Sequence, residues 1–361
     1  MLQTFQAVKT NSVEALLKLW LQRFTLDLFP TFRENSNLYS DLLKANSTQG
    51  RIETTAKLKD NVLDINCQMA WLQTKHLYAY IPNILDLNEA RRITQFAFRV
   101  YRKVLKIYQQ HSINEALHIA ELKNVVPIWG IAEIEQIAYE LEPVLIVFQE
   151  QHIASKDWRA IGFMTSQINF SNKLILKRLS TAEQVLLAPY LKFVEEQVAV
   201  PWQRVCNAAG KYEQGSPVLT LVEQMLPKAE EIARAVYYQL IELLPGYYSR
   251  RGELTDPEIT HSCLRDLNMF QAYLWLCLLE RSTAPIKQEL LPLCIMVVQG
   301  VGIQWELTEK WCQVLGDEIM SRADSEQQGL LKPYIQGMQQ IFFEERQRLS
   351  FTPDLEPLSQ V

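Results

Sequence analysis

The sequence predicts an all-α fold, about a dozen helices in a bundle or helical-repeat arrangement, and three observations carry that prediction. Apolar residues make up 48% of the 361-residue chain, and they recur at helical spacing in runs too long for strands. Glycine is scarce, at 12 residues, which leaves little for tight β-turns or for loops that cradle phosphate. Polar capping residues stand where the runs begin. Ser180 precedes Glu183, and Asp324 precedes Gln327, by one helical turn, the reciprocal pattern that satisfies a helix's first free N–H groups. No strand candidate emerges.

Along the chain, Val13, Leu16, Leu17, Trp20, Leu21 and Phe24 form an apolar stripe, predicting a helix over 12–28 that Pro30 stops. A short helix over 37–45 and a long one over 51–79 follow. Asn88 caps a helix reaching His111, with Glu89 well placed in its first turn. Ser112 and Glu115 cap a short helix to 123, and the run 125–130 breaks the chain at Pro127. Helices are expected over 131–152, 157–178, 181–199 and 201–209, before a linker at 211–216. Ser216-Pro217 starts a helix to Leu244 that Pro227 interrupts. After a basic aromatic loop over 245–252 come helices from Pro257 to Arg281 and over 285–299, 303–322 and 325–348. The last residues, with Pro353 and Pro357, are expected to fray. The tryptophans along these faces (Trp71, Trp129, Trp158, Trp202, Trp275, Trp305, Trp311) read as core and interface anchors.

Two blocks recur in the same order. Glu140, Leu141, Pro143 and Ile146 return 149 residues later as Glu289, Leu290, Pro292 and Ile295. Leu186, Leu187, Pro189 and Tyr190 return 144 residues later as Leu330, Leu331, Pro333 and Tyr334. The blocks predict an internal tandem duplication with proline-kinked helices, in which 131–209 and 285–348 are matching units. The expected organisation is an N-terminal helical region 1–130, a first repeat 131–210, a second half 211–350 and a tail 351–361.

The segment NFSNKLILKRLSTAEQVLLAPYLKFVEEQVAVPWQRVC (169–206) resembles an all-helical, functionally uncharacterised family of cyanobacterial proteins. The resemblance implies helices there and carries no active-site residue.

The net charge of −5 gives no global attraction to nucleic acid or to an anionic membrane. The most apolar window, 290–298, is far shorter than the roughly 20 residues that span a bilayer. Six cysteines without a CxxC pair, most of them in apolar runs, read as small buried hydrophobes in a reducing, cytoplasmic setting.

Two features invite a chemical reading. Glu115–His118 and Glu258–His261 share the E-x-x-H spacing of carboxylate-bridged metal bundles. In both helices the pair lies opposite the apolar stripe, with Glu258, His261, Arg265 and Asn268 facing away from Leu264, Leu267 and Phe270. Ligands must point into the bundle, so neither a metal nor any other cofactor is expected. In the helix 88–110, Arg92, Arg99, Arg102, Lys103 and Lys106 fall on one arc, opposite an apolar face. Such a stripe on an acidic protein suits an acidic protein partner; nucleic acid is a less favoured occupant. The pairs Glu195-Glu196, Glu230-Glu231 and Glu344-Glu345 are expected on solvated exteriors. No nucleophile elbow, P-loop, HExxH or zinc spacing occurs, which argues against an enzyme. The residues therefore point to a helical interaction, assembly or adaptor protein. A bundle enclosing a small hydrophobic ligand or cofactor is the alternative, and a nucleic-acid-binding regulator comes third.

Overall fold

The computed structural model describes residues 36–79, 87–110 and 158–350, together with positions 16, 19, 24, 26–27, 128–129 and 141. The expected helices over 112–123 and 131–152 lie outside the described residues, apart from Leu141, which is helical and buried. The chain forms two compact units, residues 1–207 and 208–361.

The first unit contains α1 (Ser36–Asn46), α2 (Thr48–Lys57), α3 (Asp60–Leu77), α4 (Leu87–Gln110), α5 (Trp158–Leu176) and α6 (Thr181–Ala199). A further helix, α7 (Trp202–Ala209), crosses the boundary between units. A two-stranded pair joins β1 (Leu26–Asp27) to β2 (Ile128–Trp129), antiparallel, with Leu26 opposite Trp129. Leu26 and Asp27 were expected to be helical; the ladder to the distant segment claims their backbone groups instead. The long helix expected over 51–79 is two helices. Leu58 leaves helical geometry at φ −112 and ψ 44, Lys59 is extended, and Asp60 restarts the chain in the first turn of α3, where its carboxylate favours the helix dipole.

Local chemistry fixes the next boundaries. The Ser47 hydroxyl accepts from the Gly50 N–H at 3.0 Å and starts α2. At α6 the full capping box forms, with the Ser180 N–H donating to Glu183 at 2.8 Å. Helix α3 packs on α4 and α5, α5 on α6, and α4 on α2, α5 and α6.

The second unit contains α8 (Pro217–Met225), α9 (Ala229–Leu243), β3 (Tyr248–Ser249), β4 (Gly252–Glu253), α10 (Pro257–Glu280), α11 (Leu291–Val301), α12 (Trp305–Ser321) and α13 (Ser325–Ser350). Pro227 interrupts α8 and α9 as expected, through a 3₁₀ turn at Leu226–Lys228. The basic aromatic loop closes on itself as a hairpin, with Ser249 opposite Gly252. A π-helical turn, Ile286–Leu290, precedes α11. Pro292 would clash with the carbonyl four residues back, at Gln288, and the widened turn relieves that clash. Helix α10 ends at Arg281 in the left-handed region, φ 52, and α11 ends at Gly302, φ 67. Helix α9 packs on α10 and α12, α12 on α13, and α10 on α8 and α13.

Pro189 lies inside α6 and Pro333 inside α13. Trp202 and Trp275 are among the largest fully buried side chains, in keeping with a core role.

Candidate functional site

The most chemically varied cluster of the second unit lies on the first half of α10. Pro257 occupies the first helical turn, where its missing N–H costs nothing, and the preceding Asp256 carboxylate accepts from the Glu253 N–H at 2.9 Å, tying the hairpin to the helix start. The helix then changes character. Up to Asp266 it presents polar groups, and from Leu267 to Leu279 every residue is buried.

Cys263 sits on the polar half and is the one of six free cysteines that is not fully buried. The Arg265 guanidinium donates to the Asp266 carboxylate through Nε at 2.8 Å and through Nη2 at 2.6 Å, a forked charge-assisted pair with both side chains largely buried. Burial pushes the Cys263 thiol up to about 12, with the Asp266 carboxylate adding to the rise and the Arg265 and Arg251 guanidiniums opposing it. Asp266 also faces the buried thiol of Cys294 on α11. The hairpin reaches the end of α11, where the Arg250 N–H donates to the Val301 carbonyl at 3.0 Å. The hairpin, α10 and α11 thus gather one thiol, two guanidiniums and one carboxylate.

Sequence reasoning passed over this cluster because it treated the six cysteines as one class. A signal was present: Cys263 is followed at i+2 and i+3 by Arg265 and Asp266 in a polar run, whereas Cys277 and Cys294 lie in apolar ones.

The E-x-x-H residues are described only in part. Glu115 and His118 lie outside the described residues, His261 is exposed, and no group of three metal-ligating side chains occurs among the described residues. The expected solvated stripe on this helix is only half solvated. Asn268 is buried and its amide donates to the Leu264 carbonyl at 2.9 Å, while Leu264 is partly exposed. The i−4 carbonyl satisfies the amide and allows its burial.

The cations of α4 follow the helical wheel. Arg99, Arg102 and Lys106 are exposed, while Arg92 and Lys103 are half-buried. Arg92 pairs with Glu89 one turn earlier at 2.5 Å, and Arg102 approaches Asp60 at 3.6 Å with both side chains exposed. The opposite face, Ile93, Phe96, Ala97, Val100, Val104 and Ile107, is buried.

The glutamate pairs divide. Glu195 and Glu196 are buried, against expectation, as is Glu345. Glu195 accepts from the Asn169 amide at 2.9 Å and the Asn172 amide at 3.3 Å, and Asn172 in turn accepts from the Tyr101 hydroxyl at 2.7 Å. Burial pushes the Tyr101 hydroxyl well above its usual range, and the nearby Cys67 and Glu195 add to it. Amide donors from a neighbouring helix are what make a carboxylate tolerable inside.

No described helix is long and apolar enough to cross a membrane. Neither the curated proteins nor the solved structures give a match to this chain. A family model described as Phycobilisome protein does match, over residues 203–341. The expected likeness to a cyanobacterial-associated helical family is thereby upheld at the family level, centred on the second unit and overlapping 169–206 only at its end.

Proposed function

We propose that the protein is a helical member of a light-harvesting assembly of the phycobilisome kind, and that its second unit holds an open-chain tetrapyrrole, a bilin, at Cys263. The observation that carries this reading is the cluster of Cys263, Arg265, Asp266 and Arg251 inside the matched segment.

Each group suits one part of such a ligand. Cys263 supplies sulfur for a thioether, and it is the one cysteine of six that is not fully buried. Arg265 and Arg251 supply positive charge for propionates, and Asp266 supplies an acceptor for pyrrole N–H groups. Held there, the tetrapyrrole would contribute absorption of visible light. From Leu267 to Leu279 the same helix is buried, so the cluster lies where α10 enters the interior of the unit. A thiol pushed up to about 12 holds its proton at neutral pH, so alkylation of Cys263 is expected to be slow there and to accelerate as pH rises.

The assembly role also draws on α4, whose exposed Arg99, Arg102 and Lys106, flanked by Arg92 and Lys103, offer a docking stripe for an acidic protein partner. We place the protein in a reducing, cytoplasmic compartment, in keeping with six free thiols.

The direct test incubates the purified full chain with phycocyanobilin and follows visible absorption and peptide mass. A coloured complex with the added mass on the Cys263 peptide is expected, with the adduct lost in Cys263→Ser and the absorption weakened in Arg265→Ala. Absence of any complex, or an adduct that persists in Cys263→Ser, would overturn the reading.

A further inference from the structure

We infer that the two units are diverged copies of one five-helix plan, larger than the two sequence blocks suggest, and that the thiol-and-charge cluster belongs to the second copy alone. The inference does not depend on the bilin reading.

Helix order and spacing come first. The starts of α2, α3 and α4, at Thr48, Asp60 and Leu87, are followed 169, 169 and 170 residues later by the starts of α8, α9 and α10, at Pro217, Ala229 and Pro257. The starts of α5 and α6, at Trp158 and Thr181, are followed 147 and 144 residues later by α12 and α13, at Trp305 and Ser325. The step between the two spacings is the longer connection that the first unit carries between α4 and α5.

Five packing pairs recur, while α4–α5 belongs to the first unit and α8–α13 to the second. The pairs α3–α5, α5–α6, α3–α4, α4–α6 and α2–α4 have their counterparts in α9–α12, α12–α13, α9–α10, α10–α13 and α8–α10. Chain order alone does not require this, because five helices can be packed in many ways.

Side-chain register agrees at two separate places. At the α5–α6 contact, Asn169 bonds Glu195; at the α12–α13 contact the equivalent residues are Gly316 and Gln339, and a Cβ placed on Gly316 would lie 3.0 Å from the Gln339 amide nitrogen. At the start of the last helix, the capping glutamate of the first copy, Glu183, reaches α2, accepting from the Thr54 hydroxyl at 3.0 Å and from Lys57 at 2.7 Å. Its counterpart Gln327, also the third residue of a reciprocal cap, reaches α8 and donates to Gln224 at 2.6 Å. One residue in each copy thus caps its own helix and latches it to the neighbour within that copy, α2 in the first and α8 in the second.

The same register sets Ile93, Gln95 and Phe96 against Cys263, Arg265 and Asp266. Ile93 and Phe96 are buried core. The first copy therefore has an apolar interior where the second has a thiol beside a charge pair, so one copy is a framework and the other holds the chemistry.

The test is peptide-resolved hydrogen exchange on the full chain. Glu183→Ala should raise exchange severalfold in α2 as well as in the first turn of α6, and Gln327→Ala should do so in α8 as well as in the first turn of α13. Glu183→Gln, which installs the residue the second copy uses, should keep α2 protected. Exchange confined to the mutated helix in either alanine variant, or loss of α2 protection in Glu183→Gln equal to that in Glu183→Ala, would overturn the inference.

Discussion

Helices α4 and α10 are each 24 residues long and bury themselves in different ways. In α4 the buried residues keep to one arc and cations occupy the other. In α10 the first three turns are mixed, and from Leu267 to Leu279 the helix is enclosed on all sides. A helix that is apolar all round has to be enclosed, and α8, α9 and α13 supply much of that enclosure. The lesson is that one packing scheme accepts either a half-solvated or a fully buried central helix, provided that its polar groups fall where neighbours do not.

The ends of these helices show the same contrast. Arg51 is buried in the first unit, where it donates to the Tyr108 carbonyl at 2.8 Å, to Asn46 through two nitrogens and to the Tyr190 hydroxyl at 3.3 Å, with its guanidinium 4.4 Å from the Tyr108 ring centre. In the second unit Arg281 is exposed, 5.8 Å from the Tyr212 ring centre, while the Tyr212 hydroxyl donates to the Leu279 carbonyl at 2.8 Å. Each device pairs an arginine with a tyrosine at the end of the long helix, and one of the two donates to a late carbonyl, Arg51 to that of Tyr108 and Tyr212 to that of Leu279. One does so in the interior, where each lost bond strands a buried partner, and the other does so in water.

The largest expected effect follows from that difference. Arg51→Ala leaves Asn46 and the Tyr108 carbonyl without their donor and opens space beneath Tyr190, at a cost of about 3 kcal/mol. Chemical denaturation with exchange read separately in each unit should show the first unit weakened. Arg281→Ala should leave the second unit's transition almost in place; a loss as large as that of Arg51→Ala would break the contrast.

A slightly smaller effect is expected at the α5–α6 contact. Glu195→Ala strands the amides of Asn169 and Asn172 and should cost about 2 kcal/mol, whereas Gln339→Ala in the second unit, at a half-buried position with a glycine opposite, should cost well under half of that. Equal losses in urea midpoint would mean that the polar network contributes no more than ordinary packing.

Acid separates the two latches more gently. Burial alone would raise the Glu183 carboxyl, but hydrogen bonds from Lys57, Ser180 and Thr54 outweigh it and hold the carboxyl below its usual value. A folded-state value below the unfolded one means stability that is present above the unfolded pKa and lost as pH falls through the folded one. Gln327 does not titrate. Exchange in α2, taken relative to the intrinsic amide rate at each pH, should therefore rise between pH 5 and pH 3, a window set by the ordinary carboxylate value of 4.5 and the downward shift, more than exchange in α8 does. A rise of the same size in both helices would show that Glu183 is not the cause.

The smallest effect on stability is expected at the basic stripe. Reversing Arg99, Arg102 and Lys106 to Glu should change folding by about half a kcal/mol per site, since all three are exposed. Capture of an acidic partner should fall, and wild-type capture should weaken with salt. If the triple variant unfolds, these side chains belong to the structure; if it captures its partner unchanged, the stripe is solvated surface alone.

Much of the helical plan was legible. Ser180 with Glu183, Ser216 with Pro217, and Pro227 each act within a few residues, and the structure places boundaries at all three. The repeat of Tyr190 at Tyr334 was legible as well, and its neighbours proved to be an arginine and a second tyrosine in both units. The equivalence of α2, α3 and α4 with α8, α9 and α10 was not legible, because their sequences share spacing and packing partners but no run of identical residues.

The sequence by itself determined the fold class, the capped starts, the helix interruption at Pro227, and the amphipathic division of α4. Capping, proline geometry and helical periodicity are local and need no neighbour. Only the tertiary structure decided that Glu195 and Arg51 lie inside, that Cys263 alone of the six cysteines is not fully buried, and that Arg265 folds onto Asp266 beside it. A helical wheel fixes the angle between two residues on one helix. Which arc is covered depends on helices that arrive from far along the chain, and on whether those helices bring the amides and carbonyls that make a charge tolerable in the interior.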